Sequence, residues 1–191
     1  MKKHFSKKSM AAALGLILIL SWALIYFISC QKDKAIINEY LTSENTVLIL
    51  EHYDIDNYSK DIPLVYGADS AYFKEALAAG KVEQEQFYSL TEQEREQIIA
   101  YLHDIQYRLQ WNNERTKRGM SDKADTYWIY LTTFTDKEPF GAGIYVTVSE
   151  DMLVSHIEAP EVNRYIGVPK EFLAYLNELF AQSSISTGNE G

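Results

Sequence analysis

The chain has a single cysteine, Cys30, and residues 31–191 contain none. Without further thiols this part of the chain can form no disulfide framework, and it cannot hold a metal through cysteine thiolates. The tripeptide His156-Ile157-Glu158 matches the H-x-E of zinc deaminases, which also need cysteine ligands. The missing cysteines therefore exclude that activity.

Common catalytic motifs are also missing. The sequence has no P-loop, no G-x-G-x-x-G, no G-x-S-x-G and no H-E-x-x-H. His52, His103 and His156 fall on three different predicted elements, with no two at metal-ligand spacing. Asp54 and Asp56 follow a strand, but the residue types around them fit neither a phosphotransfer pattern nor a calcium loop, and a solvated turn is predicted. We therefore expect no metal site and no cofactor.

Residues 9–29 lack charged side chains altogether. About 20 apolar residues are the length at which an α-helix crosses a bilayer. Four lysines lie in residues 1–8, and more positive charge on one side of a span keeps that side in the cytoplasm. The pattern predicts a cytoplasmic tail at 1–8, a membrane helix at 9–29 and everything after Cys30 on the outer face of the cell membrane.

Cys30 leaves three interpretations open. The stretch Phe27-Ile28-Ser29-Cys30 resembles the lipobox of bacterial lipoproteins, and this resemblance implies cleavage before a lipidated Cys30. The apolar stretch is longer than the 7 to 15 residues of cleavable signals, which favours an uncleaved single-pass signal-anchor. An ordinary secretory signal is the third interpretation. The first two both tether the following domain to the membrane.

The remainder of the chain is acidic. Residues 31–191 hold 14 of the 18 basic side chains against all 27 acidic ones, a net charge of −13. Such a surface repels phosphate backbones, so nucleic-acid binding is excluded. The expected partners are the lipid bilayer, through residues 9–29, and another envelope protein.

Periodicity predicts an α+β domain. Residues 31–45 are predicted to be a polar tether, 46–181 the domain and 182–191 a disordered tail. Thr91 and Glu94 form a capping box before a helix predicted at 92–110, and Pro169 opens a second helix. The predicted antiparallel sheet has about four strands, with the two helices on one face. Its strands are 46–53 and a C-terminal meander of 125–135, 142–150 and 152–158, and shorter elements are predicted at 62–66 and 70–81.

Two features favour binding over catalysis. Arg115, Lys117 and Arg118 form a basic loop on an acidic domain, and alternation places Trp128 and Tyr130 on one sheet face. If helices cover the opposite face, these aromatic side chains line an exposed groove. The sequence favours a non-catalytic envelope binding or interaction module. The alternative is an envelope hydrolase with a metal or acid/base site around these residues: His52, Asp54, Asp56 and His156.

Overall fold

A computed structural model of the chain describes residues 7–42, 46–78, 86–107, 124–135, 138–149, 155–159 and 161–186. The chain divides into two compact units, Met1–Ile36 and Ile37–Gly191. The first unit consists of most of helix α1. The second contains the sheet and the other helices.

Helix α1 spans Lys7–Leu41, so its 35 residues have a length of about 52 Å at 1.5 Å per residue. The apolar side chains between Met10 and Ile28 are largely exposed, as expected for a helix whose surroundings are themselves apolar. Within the described residues this helix is long and apolar enough to cross a membrane, and it could anchor the protein there. Residues 31–41 of the predicted tether are helical and belong to α1.

The described residues form a nine-stranded, mostly antiparallel sheet in the order β4-β3-β1-β6-β7-β8-β9-β5, with β2 paired to β1. Strands β3 and β4 pair in parallel, and the other pairs are antiparallel. The strands are β1 Thr46–Asp54, β2 Ser59–Lys60, β3 Leu64–Tyr66, β4 Tyr88–Ser89, β5 Gln106–Tyr107, β6 Thr126–Thr135, β7 Glu138–Ser149, β8 His156–Ala159 and β9 Val162–Gly167.

Three further helices complete the second unit: α2 Ala71–Ala78, α3 Glu92–His103 and α4 Lys170–Ser186. Helices α3 and α4 meet where the ring of Tyr101 stacks on Phe172 at a centroid distance of 4.8 Å. Phe180 of α4 contacts the rings of His52 and Tyr127, which lie on one face of the sheet. Phe73 of α2 packs with Val47, which alternation places on the opposite face.

The α+β class and the mostly antiparallel arrangement agree with the sequence, but the sheet has nine strands within the described residues, where about four were predicted. Three of the additional strands are only two residues long, and β9 interrupts its apolar residues with Asn163 and Arg164. Helix α3 ends at His103 rather than near residue 110, because Gln106 and Tyr107 pair with β9. The predicted tail at 182–191 begins inside α4, which is helical to Ser186.

Candidate functional site

An open groove of about 440 Å³ lies beside α3 in the second unit. One stripe of α3 lines it, with side chains three or four positions apart and therefore on a single side of the helix. The apolar side chains Ile98 and Leu102 of α3 are buried in the core instead. The groove is lined by Leu41, Thr42, Tyr66, Glu92, Arg95, Glu96, Ile99 and His103.

Three of these side chains form a connected wall. The Tyr66 hydroxyl donates a hydrogen bond to Glu92 Oε2, and Arg95 Nη1 donates to Glu92 Oε1 at 3.0 Å. The Arg95 guanidinium also lies over the Tyr66 ring, with its Cζ 5.1 Å from the ring centroid. The hydrogen bond to Glu92 raises the pKa of Tyr66, so its hydroxyl keeps its proton and remains a donor. Both oxygens of the Glu92 carboxylate are thereby engaged.

The other polar lining residues are oriented by the end of α1. His103 Nδ1 lies 3.0 Å from Asn38 Oδ1, an acceptor, so Nδ1 carries the hydrogen. The Thr42 hydroxyl donates to the Asn38 carbonyl oxygen at 2.8 Å. Glu96 is exposed and forms no hydrogen bond or ion pair with the part of the chain that the structure describes. The groove therefore contains one carboxylate that is not neutralised within it.

A second polar cluster surrounds His52 at the end of β1. His52 Nδ1 lies 2.7 Å from Asp61 Oδ2, and its Nε2 lies 3.6 Å from Asp125 Oδ2. The imidazole stacks on Tyr127 at 4.5 Å, and the Tyr127 hydroxyl donates to Asn177 Oδ1 of α4. Nε2 is buried and has no hydrogen-bond partner in the described residues. The cluster places a histidine between two carboxylates. Such an arrangement can act as a structural ion pair, or it can orient the imidazole as a general base.

The four residues of the predicted hydrolase site do not come together. His52 packs towards α4, whereas the strand pairing puts His156 in line with Glu51, one residue earlier on β1. Because side chains alternate, His156 lies on the opposite face of the sheet. Asp56 is exposed in the turn after β1. Asp54 accepts hydrogen bonds from the Asn57 backbone N–H and side-chain amide, which lower its pKa.

Trp128 and Tyr130 share the sheet face opposite His52, as alternation predicted. Trp128 is buried and Tyr130 is half-buried, although helices do cover the other face. Lys60 Nζ lies 4.7 Å from the Trp128 ring centroid and 3.2 Å from Glu51 Oε2. Burial, and then the nearby Glu51 carboxylate, raise the pKa of Tyr130 well above its ordinary value. The exposed aromatic groove expected from the sequence is therefore absent at Trp128, because this side chain is buried.

The remaining candidate residues from the sequence are the basic loop and Cys30. Arg115, Lys117 and Arg118 lie outside the described residues. Cys30, the lipidation candidate, lies within α1 with its thiol free. No group of three or more histidine, cysteine or acidic side chains in the described ranges could hold a metal ion.

The groove was not predicted from the sequence. Its only sequence signal was the spacing of Glu92, Arg95 and Glu96 along the non-core side of α3, which solvated helices commonly show. No protein-family model matches the chain. Comparisons with curated proteins and with solved structures likewise give no match. The functional assignment therefore depends on the geometry of the chain itself.

Proposed function

We propose that this chain is a membrane-anchored protein of bacterial type whose α+β domain lies on the outer face of the membrane and binds a ligand or partner without catalysis. The observation that carries the proposal is the groove beside α3. Ligand sites are concave, partly apolar and largely pre-formed, with a few placed polar groups, and volumes of about 300–1,000 Å³ are typical. The groove has a volume in this range and an apolar part at Leu41 and Ile99. Its polar side chains Tyr66 and Arg95 are held in place by hydrogen bonds to Glu92.

The proposed location is supported by charge. The four lysines before the apolar stretch favour a cytoplasmic N-terminus, and α1 has the length to span a bilayer. The groove would then face ligands or partners in the envelope.

Cysteine labelling in cells tests the orientation. In a Cys30→Ser background, the only thiol would be one introduced by Asp69→Cys at a fully exposed side chain. A membrane-impermeant maleimide should label it without lysis, once the outer permeability barrier has been removed. The matched variant Ser6→Cys should be labelled only after lysis. The reverse pattern would contradict an outer-face domain.

Photo-crosslinking tests the binding role. Benzophenone-alanine placed at Ile99, inside the groove, should give a discrete adduct in membranes. The same group at Asp69, outside the groove, should not give that adduct. Adduct formation at both positions, or at neither, would argue against the groove as the binding site.

A second candidate, an envelope hydrolase, is favoured only by the pair Asp61–His52, since a carboxylate that orients an imidazole is typical of a general base. The buried Nε2 beside Asp125 argues against it, because a base must reach its substrate. Turnover of p-nitrophenyl acetate or p-nitrophenyl phosphate tests this function. Activity that is lost in His52→Ala while circular dichroism shows this variant to be folded, and that is kept in His156→Ala, would favour the hydrolase; we expect no turnover.

A further inference from the structure

We infer that the groove beside α3 binds a positively charged amine carried on an aliphatic stem, such as a lysine side chain or a free diamine. This inference rests on the binding role proposed above and specifies the ligand chemistry of the same site. It follows from which polar groups of the lining already have partners and which do not.

Several hydrogen-bond donors that line the groove already have acceptors, and Arg95 Nε is buried, so it is not presented to a ligand. The Tyr66 hydroxyl and Arg95 Nη1 both donate to Glu92, and the Thr42 hydroxyl donates to a backbone carbonyl of α1. His103 Nδ1 is turned towards Asn38. The Arg95 guanidinium, the only permanent cation among the described lining residues, is paired with Glu92 and covers the Tyr66 ring. An anionic ligand would therefore have to break existing contacts.

Acceptors remain for a ligand. With its hydrogen on Nδ1, a neutral His103 ring offers Nε2 as an acceptor. Glu96 adds a full negative charge that no other described residue neutralises by hydrogen bond or ion pair. Since Glu92 and Arg95 cancel each other, Glu96 sets the charge of the lining. A ligand that donates hydrogen bonds and carries positive charge complements this arrangement.

The apolar part of the groove specifies the rest of the ligand. Leu41 and Ile99 supply hydrocarbon surface beside the polar groups. An aliphatic stem can cover such surface while its charged head reaches a carboxylate, as lysine side chains do at protein surfaces. The net charge of −13 on residues 31–191 also draws cations towards the domain.

Titration of the full chain in phosphatidylcholine nanodiscs tests the inference. The readout is the ¹³C-methyl NMR signal of Ile99, and the probes are cadaverine, acetyl-lysine-methylamide and 1,5-pentanediol. Both amines should shift the signal saturably, whereas the diol, a neutral isostere of cadaverine, should not. Stronger binding of the lysine derivative would indicate a protein partner as the source of the amine; stronger binding of cadaverine would indicate a free diamine.

A matched pair of variants locates the charge. Glu96→Gln should weaken cadaverine binding by about twofold to fivefold, the effect of one exposed ion pair. Glu178→Gln removes the same charge from an exposed position on α4 that does not line the groove, and should leave the affinity unchanged.

Three outcomes would overturn the inference: equal binding of the diol, no saturable shift with either amine, or equal effects of both variants. A groove-specific crosslink in membranes would still support the binding role if the amines failed, so the two failures can be told apart.

Discussion

The imidazole of His52 is held between two carboxylates, with Nδ1 2.7 Å from Asp61 Oδ2 on one side and Asp125 Oδ2 3.6 Å from Nε2 on the other. The contact joins β1 to the segment after β2 and to the residue before β6. The Asp61 backbone N–H donates to the His52 carbonyl oxygen at 3.1 Å as well. Phe180 closes the cluster from α4, with its ring centroid 5.3 Å from the imidazole. The cluster thus connects three parts of the chain that are distant in the sequence: residues 52–61, Asp125 and α4.

Removing this imidazole should destabilise the domain. His52→Ala is expected to lower the free energy of unfolding by about 2–3 kcal/mol, because it removes a buried ring from Tyr127 and Phe180 and a hydrogen bond to Asp61. Urea denaturation of the full chain in detergent measures the loss. Asp56→Asn, in an exposed turn, should change stability by less than about 0.5 kcal/mol. If a double-mutant cycle with Asp61→Ala gave no coupling energy, the His52–Asp61 contact would not contribute to stability.

Gly143 allows β6 and β7 to approach closely. A Cβ built there would collide with the Leu131 carbonyl oxygen and would lie 3.0 Å from the Thr132 Cα. Because both obstacles are backbone atoms, Gly143→Ala should destabilise the domain by about 1–3 kcal/mol in urea denaturation. Gly15→Ala in α1 meets no atom within 4 Å and serves as the control. Equal stability of the two variants would show that the strand pair can separate at no cost.

The sequence predicted the elements whose signals are local. The capping box of α3, the long strands β1 and β6 and the helix after Pro169 occur close to their predicted positions, whereas β7 begins at Glu138, four residues before the predicted start at 142. Strand β5 was missed because its two residues are defined only by pairing with β9, about 60 positions away in the chain. The same reason explains the groove: Leu41, Tyr66 and Glu96 belong to three separate elements, and no spacing rule connects them.

The capping box of α3 should contribute measurable stability. Glu94 N–H donates to Thr91 Oγ1 at 3.3 Å, and Thr91 N–H donates to Glu94 Oε2 at 2.7 Å. Thr91→Ala removes the first of these bonds and should cost about 1 kcal/mol in urea denaturation. Thr91→Ser keeps an acceptor at the same position and should retain most of the stability. If serine proved as destabilising as alanine, the loss would have to come from something other than the cap.

Asp54 should remain charged at an unusually low pH. Hydrogen bonds from the backbone N–H and the side-chain amide of Asn57 hold its pKa below the ordinary value of 3.8. Because the folded pKa is the lower one, the interaction stabilises the fold above the unfolded value and is lost as the pH falls through the folded value. Carboxyl ¹³C titration should show the low pKa. Asn57→Ala should raise it towards 3.8, whereas Asn163→Ala, on the distant strand β9, should leave it unchanged.

The state of Cys30 decides whether residues 1–29, and with them most of α1, stay in the protein. We expect the intact mass of the membrane-extracted chain to include residues 1–30, because the apolar stretch is longer than a cleavable signal and continues as helix to Leu41. Cys30→Ser should then change the mass only by the side-chain difference, and the protein should stay in the membrane fraction. A chain that begins at Cys30 and carries acyl groups would contradict the uncleaved anchor. The lipoprotein alternative would then hold, and Cys30→Ser should block its processing, because serine lacks the thiol that is lipidated.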